Sequence, residues 1–396
     1  MPAWRRNTHL VHAGKPAFAE GTAPVNAPVT RTSTVRFETT QRMAELHHRR
    51  DAGEAVSAYG RHGTQTHRAL ESALCGLEGG VRAYLAPSGL SAISLTLLAL
   101  TRSGDHVLVT DNVYQPVKRI DRALLARFGV EVEYARPDAA EIVRRLRPGT
   151  RVIYSESPGS VLYEMADISA LAEIARSRSI ALAVDNTWAS GLLFNPLRHG
   201  ASVSIIANTK YIVGHSDVMQ GVAILGDAAL APAFDAAYDG LGLCVGPDDA
   251  YLALRGLRTL GVRLRQHAAN AMAVAQGLQS MPEVRRVYSP ALPGDPGHAL
   301  WRRDFSGANG LISVAFEGYT MARINAVADA LTLFSIGASW GGYESLALPV
   351  PAEKLGAGAE QAGAGVLRLH IGLEDPQDLL DDLTRAMALA ASHTQA

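Results

Sequence analysis

From about Gly63 onward, the chain alternates short apolar runs with longer stretches of helical period. The runs VRAYLA (from Val81), HVLVT (from His106), RVIYSE (from Arg151), IALAVD (from Ile180), VSIIA (from Val203) and VAILG (from Val222) have strand length, and helix-length segments separate them. Such spacing predicts βαβ units, with a mostly parallel central sheet and helices on both faces. Residues 1–62 carry no steady period and read as an extended arm with little core of its own. Residues 63–255 then form a large domain and 256–396 a smaller C-terminal α/β domain. At that boundary Leu254, Leu257, Leu260, Leu264, Ala268, Ala271, Val274 and Leu278 recur at steps of three and four, which predicts one long amphipathic linking helix. Further on, GLISVAF (from Gly310) and VLRLHIG (from Val366) read as strands, DPQDLLDDLTRAMALA as a helix and EKLGAGAEQAGAGV as a loop.

Composition narrows the field mainly by exclusion. A chain of 396 residues is too long for one small core, in keeping with two domains. Its 37 Lys and Arg against 38 Asp and Glu leave a net charge of −1, so there is no general attraction to nucleic acid or to an anionic membrane surface. Two cysteines, Cys75 and Cys244, cannot build a disulfide framework or a four-cysteine zinc site. The start MPAWRRNTHL does not read as a signal peptide, and no apolar run reaches the length of a membrane span. The expectation is a cytoplasmic protein.

Candidate chemistry gathers where strands end, which is where α/β sheets bind ligands. Ser88, Gly89 and Leu90 follow the first strand and open an apolar helix, whose free N–H groups and dipole suit a phosphate. Asp185 ends IALAVD, and Lys210 follows VSIIA. Taken singly, these are an N-cap, a turn residue and a solvated lysine. Together they are a phosphate seat, a carboxylate for a cationic ring nitrogen and an amine able to form a Schiff base, the set pyridoxal phosphate requires. Dinucleotide and P-loop signatures are absent. The pairs His47-His48, His62/His67 and His215/Asp217 lack convincing ligand spacing, so no metal site is expected.

At these residues the sequence resembles the Cys/Met-metabolism family of pyridoxal-phosphate enzymes. AVDNTWASG, TKYIVGHSDVMQG, GLRTLGVRLRQH, SWGGYESL and LRLHIGLED occur in that family's order over nearly the whole chain. The resemblance implies a fold-type-I transferase fold with pyridoxal 5'-phosphate on Lys210, Asp185 on the pyridine nitrogen and Tyr114 stacked on the ring. Ser88, Gly89, Leu90 and Thr209 would cup the phosphate, helped by Tyr59 and Arg61 of a neighbouring subunit. It thus implies a homo-oligomer with shared sites, at least a dimer and commonly a tetramer. Arg368 would bind the substrate α-carboxylate, and Ser339, Trp340 and Tyr59 would line the substrate pocket. One departure stands out: much of the family has serine where this chain has Ala207, which removes one phosphate donor.

Within the family, ESPGS at Glu156, VYQP at Val113 and the pair Trp340 and Tyr343 lean towards β-elimination of cystathionine to homocysteine, pyruvate and ammonia, a carbon–sulfur lyase step of methionine biosynthesis. The alternatives are γ-elimination, γ-replacement or sulfhydrylation on the same scaffold, and beyond those a regulatory protein that binds the cofactor.

Overall fold

The computed structural model describes residues 4–392; residues 1–3 and 393–396, at the ends of the expected arm and C-terminal domain, lie outside it. Seven strands form the larger sheet: β1 (Arg82–Ala86), β2 (His106–Thr110), β3 (Glu131–Ala135), β4 (Thr150–Glu156), β5 (Ala181–Asp185), β6 (Val203–Ile206) and β7 (Gly221–Leu225). Their order is β1-β7-β6-β5-β4-β2-β3, and β7 alone runs against its neighbours. Successive side chains alternate between two cores: Leu108 of β2 joins one while Val107 and Val109 join the other, and Ile224 and Ala223 of β7 divide likewise. Burial on both faces explains why most of these strands read as largely apolar runs; edge strand β3, EVEYA, does not. Each fully buried side chain of this kind contributes about 1.5–3 kcal/mol by leaving water.

The smaller sheet contains β8 (Val284–Tyr288), β9 (Leu311–Phe316), β10 (Ser335–Ile336), β11 (Leu346–Pro351) and β12 (Gly365–His370), ordered β10-β11-β12-β9-β8. Ile312, Val314, Leu367 and Leu369 face a core shared with the helices Leu260–Gln279, Met321–Ala330 and Pro376–Ser392. The opposite face carries Leu311, Ala315 and Val366, which pack into the core of the larger sheet. By strand alternation Arg368 and His370 share this inner face with Val366. The small sheet therefore presents polar groups directly to the large one.

Several elements depart from expectation. The linking helix is two helices, Pro247–Leu257 and Leu260–Gln279, broken at Arg258 and Thr259. The Gly256 carbonyl is taken by the Thr259 N–H (3.1 Å) and by Arg263 Nη2 (2.7 Å), so the α-helical ladder stops there. Gly256 also packs onto the carbonyls of Ile212 and Val213, leaving no room for a side chain, and Arg263 reaches Ile212 O at 3.4 Å. The break thus fits the chain around the segment that follows Lys210. The expected loop before β12 contains two short 3₁₀ turns, Ala352–Lys354 and Ala357–Gln361.

Candidate active site

Strands β1, β2, β4, β5 and β6 end at one rim, where antiparallel β7 begins; Gly221 pairs with Ala86 and Val222 with Ile206. Asp185 closes β5, with Glu156 beside it at the end of β4. Only 6% of Asp185 is exposed. Its Oδ1 accepts the Thr187 N–H (3.0 Å) and hydroxyl (2.6 Å), and its Oδ2 accepts the Tyr154 hydroxyl (3.3 Å). The Thr187 hydroxyl also accepts the Ala207 N–H at 2.9 Å, tying the ends of β5 and β6 together. Burial raises the Asp185 carboxyl above its ordinary pKa, while these donors and Lys210 draw it back. A buried carboxylate held by neutral donors favours a cation placed against it.

Lys210 Nζ donates to Ser339 Oγ at 2.8 Å and sits 5.2 Å from the centre of the Trp340 ring, a cation–π distance. Burial, and then the charge of Arg368, lowers its pKa to about 8, with Asp185 opposing. A large neutral fraction near pH 8 makes this amine both a nucleophile and a base. The chain has only four lysines, Lys15, Lys118, Lys210 and Lys354, so site-resolved labelling is simple. In cofactor-free protein, acylation of Lys210 followed by mass spectrometry is expected to reach half its limiting rate near pH 8. A midpoint near the ~10.4 of an ordinary lysine would contradict an enclosed amine.

The expected phosphate seat lies at the start of the helix Gly89–Leu100. Ser88 Oγ caps it by accepting the Ser91 N–H at 3.0 Å, leaving the N–H groups of Gly89 and Leu90 in the unpaired first turn. A Cβ added at Gly89 would fall 2.6 Å from Ala207 Cβ, and one at Gly221 would run into Ser88 O. The bare backbone of the helix start is therefore pressed against the rim of β6 and β7. This suits an anion such as phosphate, and Ala207 takes up space there without offering a donor. The Thr209 hydroxyl is engaged with Gln220, donating to its carbonyl at 3.0 Å and accepting its N–H at 2.9 Å.

The small sheet closes the opposite side. Arg368, 9% exposed, donates through Nη2 to the carbonyls of Ala338 and Ser339, both at 3.0 Å, while its buried Nε has no hydrogen-bond partner among the described residues. An unpaired buried guanidinium N–H is the feature a substrate carboxylate would satisfy. Gly341 (φ +89°) follows Trp340 in the left-handed region, and a Cβ there would lie 2.9 Å from the Lys210 carbonyl carbon. Tyr114 is half-exposed and its N–H donates to Glu156 Oε2 at 2.6 Å. Its phenol is raised by burial and by the nearby carboxylates Asp185 and Glu156.

Not every expected residue joins this group within one chain. Tyr59 is exposed, and Arg61 Nη1 lies 3.5 Å from Asp239 on the wall of a separate cleft with His62, Arg68 and Asp235. Conversely, Tyr154, Thr187 and Glu156 support Asp185 and Tyr114 without having been singled out for that role. Thr187 had a signal in the sequence, since a hydroxyl two residues beyond a strand-end carboxylate can fold back onto it. Glu156 is raised strongly by burial and by the charge of Asp185, a property no spacing reveals. Among the described residues no group of three or more His, Cys, Asp or Glu could hold a metal ion, and no helix is long and apolar enough to cross a membrane.

A fold of this kind with a lysine, a buried carboxylate and an anion seat at one rim is that of a pyridoxal-phosphate enzyme, and the chain belongs to the Cys/Met metabolism PLP-dependent enzyme family, whose family model matches residues 7–388. Its mostly parallel sheet with a second, smaller sheet is fold type I. It is 48% identical over 391 residues to a cystathionine beta-lyase from Bordetella avium, covering 97% of this chain and 98% of that protein. Against cystathionine beta-lyase MetC of Escherichia coli (strain K12) the identity is 41% over 390 residues, covering 96% and 98%. A cystathionine gamma-synthase from Mycobacterium bovis is 36% identical over 388 residues, covering 96% of each.

Proposed function

We propose that this chain is a cystathionine β-lyase, cleaving L-cystathionine with water to homocysteine, pyruvate and ammonia in methionine biosynthesis. The observation that carries the reading is the meeting of Lys210 and Asp185 from the large sheet with Arg368, Ser339 and Trp340 from the small one. The full-length similarity to proteins of that name supports it further. When bound, pyridoxal phosphate supplies an aldehyde that exchanges amines and a protonated ring that takes up electrons from the substrate Cα.

The chain's own residues do the rest. Asp185 holds a proton on the ring nitrogen, Gly89 and Leu90 seat the phosphate with Ser88 and Thr209 shaping its surroundings, and Tyr114 offers its ring face. Arg368 uses its unpaired Nε to orient the substrate carboxylate. Neutral Lys210 Nζ accepts the Cα proton, the Cβ–S bond breaks, and homocysteine departs as the sulfur gains a proton. That proton comes from the Lys210 ammonium or from the Tyr114 phenol, which its surroundings keep protonated. Ser339 aims Nζ, and the Trp340 ring shields the reacting centre from water.

The same reading assigns residues 1–62 to an arm that embraces a second copy, with Tyr59 and Arg61 completing the partner copy's phosphate and substrate pockets. Residues 63–255 and 256–396 are the cofactor and C-terminal domains of a cytoplasmic homotetramer. The helix Thr40–Asp51 has no buried residue, which supports an arm that finds its packing partner elsewhere. The deciding experiment gives purified holoprotein L-cystathionine and identifies the products. Pyruvate with homocysteine is expected; 2-oxobutyrate with cysteine would mean γ-elimination and overturn the role given to Trp340.

A further inference from the structure

The loop carrying Ser339 and Trp340 is held at both ends by one strand. Arg368 of β12 takes the carbonyls of Ala338 and Ser339. His370, next on the same face, reaches the far end: its Nε2 is 3.2 Å from the Gly341 nitrogen and 3.0 Å from the Gly342 oxygen. A neutral ring bonds the loop in either tautomer, as acceptor from the Gly341 N–H or as donor to the Gly342 carbonyl. His370 is fully buried, beneath the ring of Tyr211 (5.8 Å) and beside that of His267 (5.2 Å). Burial, then His267, holds its pKa down to about 3, so the ring is neutral at working pH.

The loop has no slack against the lysine. Gly341 already touches the Lys210 backbone so closely that a single added carbon would lie 2.9 Å away. Ser339 Oγ and the Trp340 ring meet Nζ from the same loop. Displacing the Gly341–Gly342 end therefore displaces both side chains that face Nζ. The same displacement frees the carbonyls that fix Arg368.

We propose that His370 is a positioning residue of the substrate pocket, whose Nε2 pins the Gly341–Gly342 turn and thereby sets Ser339, Trp340 and Arg368 around Lys210. This deepens the lyase reading and rests on it for the kinetic readout only. Glutamine can place a polar atom where Nε2 stands, whereas asparagine reaches only the position of Nδ1, so the pair H370Q and H370N separates pinning from mere occupancy.

The test measures hydrogen exchange of a peptide spanning residues 337–343 in full-length holoprotein, together with kcat and KM for L-cystathionine. In H370N, exchange of that peptide and KM are each expected to rise about tenfold, the scale of one buried hydrogen bond, with kcat moving less; H370Q stays within about twofold of the parent. Unchanged exchange in H370N, an unchanged KM, or H370Q behaving like H370N would each overturn the proposal. If the parent protein does not cleave cystathionine, the lyase reading fails while the exchange comparison still judges His370. If H370N does not fold, the parent decides: the Gly341 amide must exchange more slowly than that of Gly318 in an exposed turn, and parity overturns the proposal.

Discussion

Replacing Lys210 with alanine is expected to lower cystathionine cleavage by more than about 10⁴-fold while leaving the protein folded. The loss should be this large because one amine serves as the covalent anchor for the cofactor and as the base at Cα, and a positioned base alone is worth about 10²–10⁴-fold. The fold should survive because a charged Lys210 is costly where it sits. Burial lowers its pKa to about 8, so the charged form is disfavoured there, and alanine removes that cost together with one hydrogen bond to Ser339. Borohydride reduction with pyridoxal phosphate, followed by peptide mass analysis, should fix the cofactor mass on Lys210 in the parent and nowhere in K210A. A trapped adduct at another lysine of K210A with activity retained would move the site.

Replacing Asp185 with asparagine is expected to cost at least about 10²–10³-fold in kcat, the scale seen when one preorganised electrostatic partner is removed. Asparagine keeps an oxygen to accept from Thr187, which bonds the native carboxylate at 2.6 and 3.0 Å, but it carries no charge to hold a proton on a ring nitrogen. D185A should be worse in both respects, leaving the Thr187 and Tyr154 donors unpaired at about 1–3 kcal/mol of stability. Comparing the two separates charge from scaffold: D185N should melt within a few degrees of the parent and still turn over slowly. Near-normal turnover in D185N would remove Asp185 from the reaction.

Strands buried on both faces were legible because burial favours apolar side chains over most of their length, and β1, β2, β4, β5, β6, β7, β9 and β12 each carry such a run, with polar residues such as Ser204, Ser313 and Arg368 set among them. Three others were hidden for identifiable reasons. β3 lies at a sheet edge, and its Glu131 and Glu133 pair with Arg147 and Arg145. β8 is also an edge strand and carries Arg285 and Arg286, while β11 contains Pro349 and Pro351 beyond the reach of short β10. The broken linking helix could not be foreseen either, because its 3.6-residue period continues through the break. What stops the helix is Arg263 and Thr259 claiming the Gly256 carbonyl, a competition visible only in three dimensions.

The sequence by itself determined which residues could do chemistry: a lysine, a carboxylate and a Ser-Gly helix start, each at the end of a strand, in motifs whose order marks a pyridoxal-phosphate family. Only the tertiary structure decided how those groups behave. It set Arg368 near enough to lower the Lys210 pKa, sank Asp185 and Glu156 together, and hung Ser339 and Trp340 from β12 through Arg368 and His370. The physical reason is that residue identity fixes which atoms can donate, accept or ionise. Charge–charge interaction and desolvation depend instead on distance and excluded water, which exist only once the two sheets have packed.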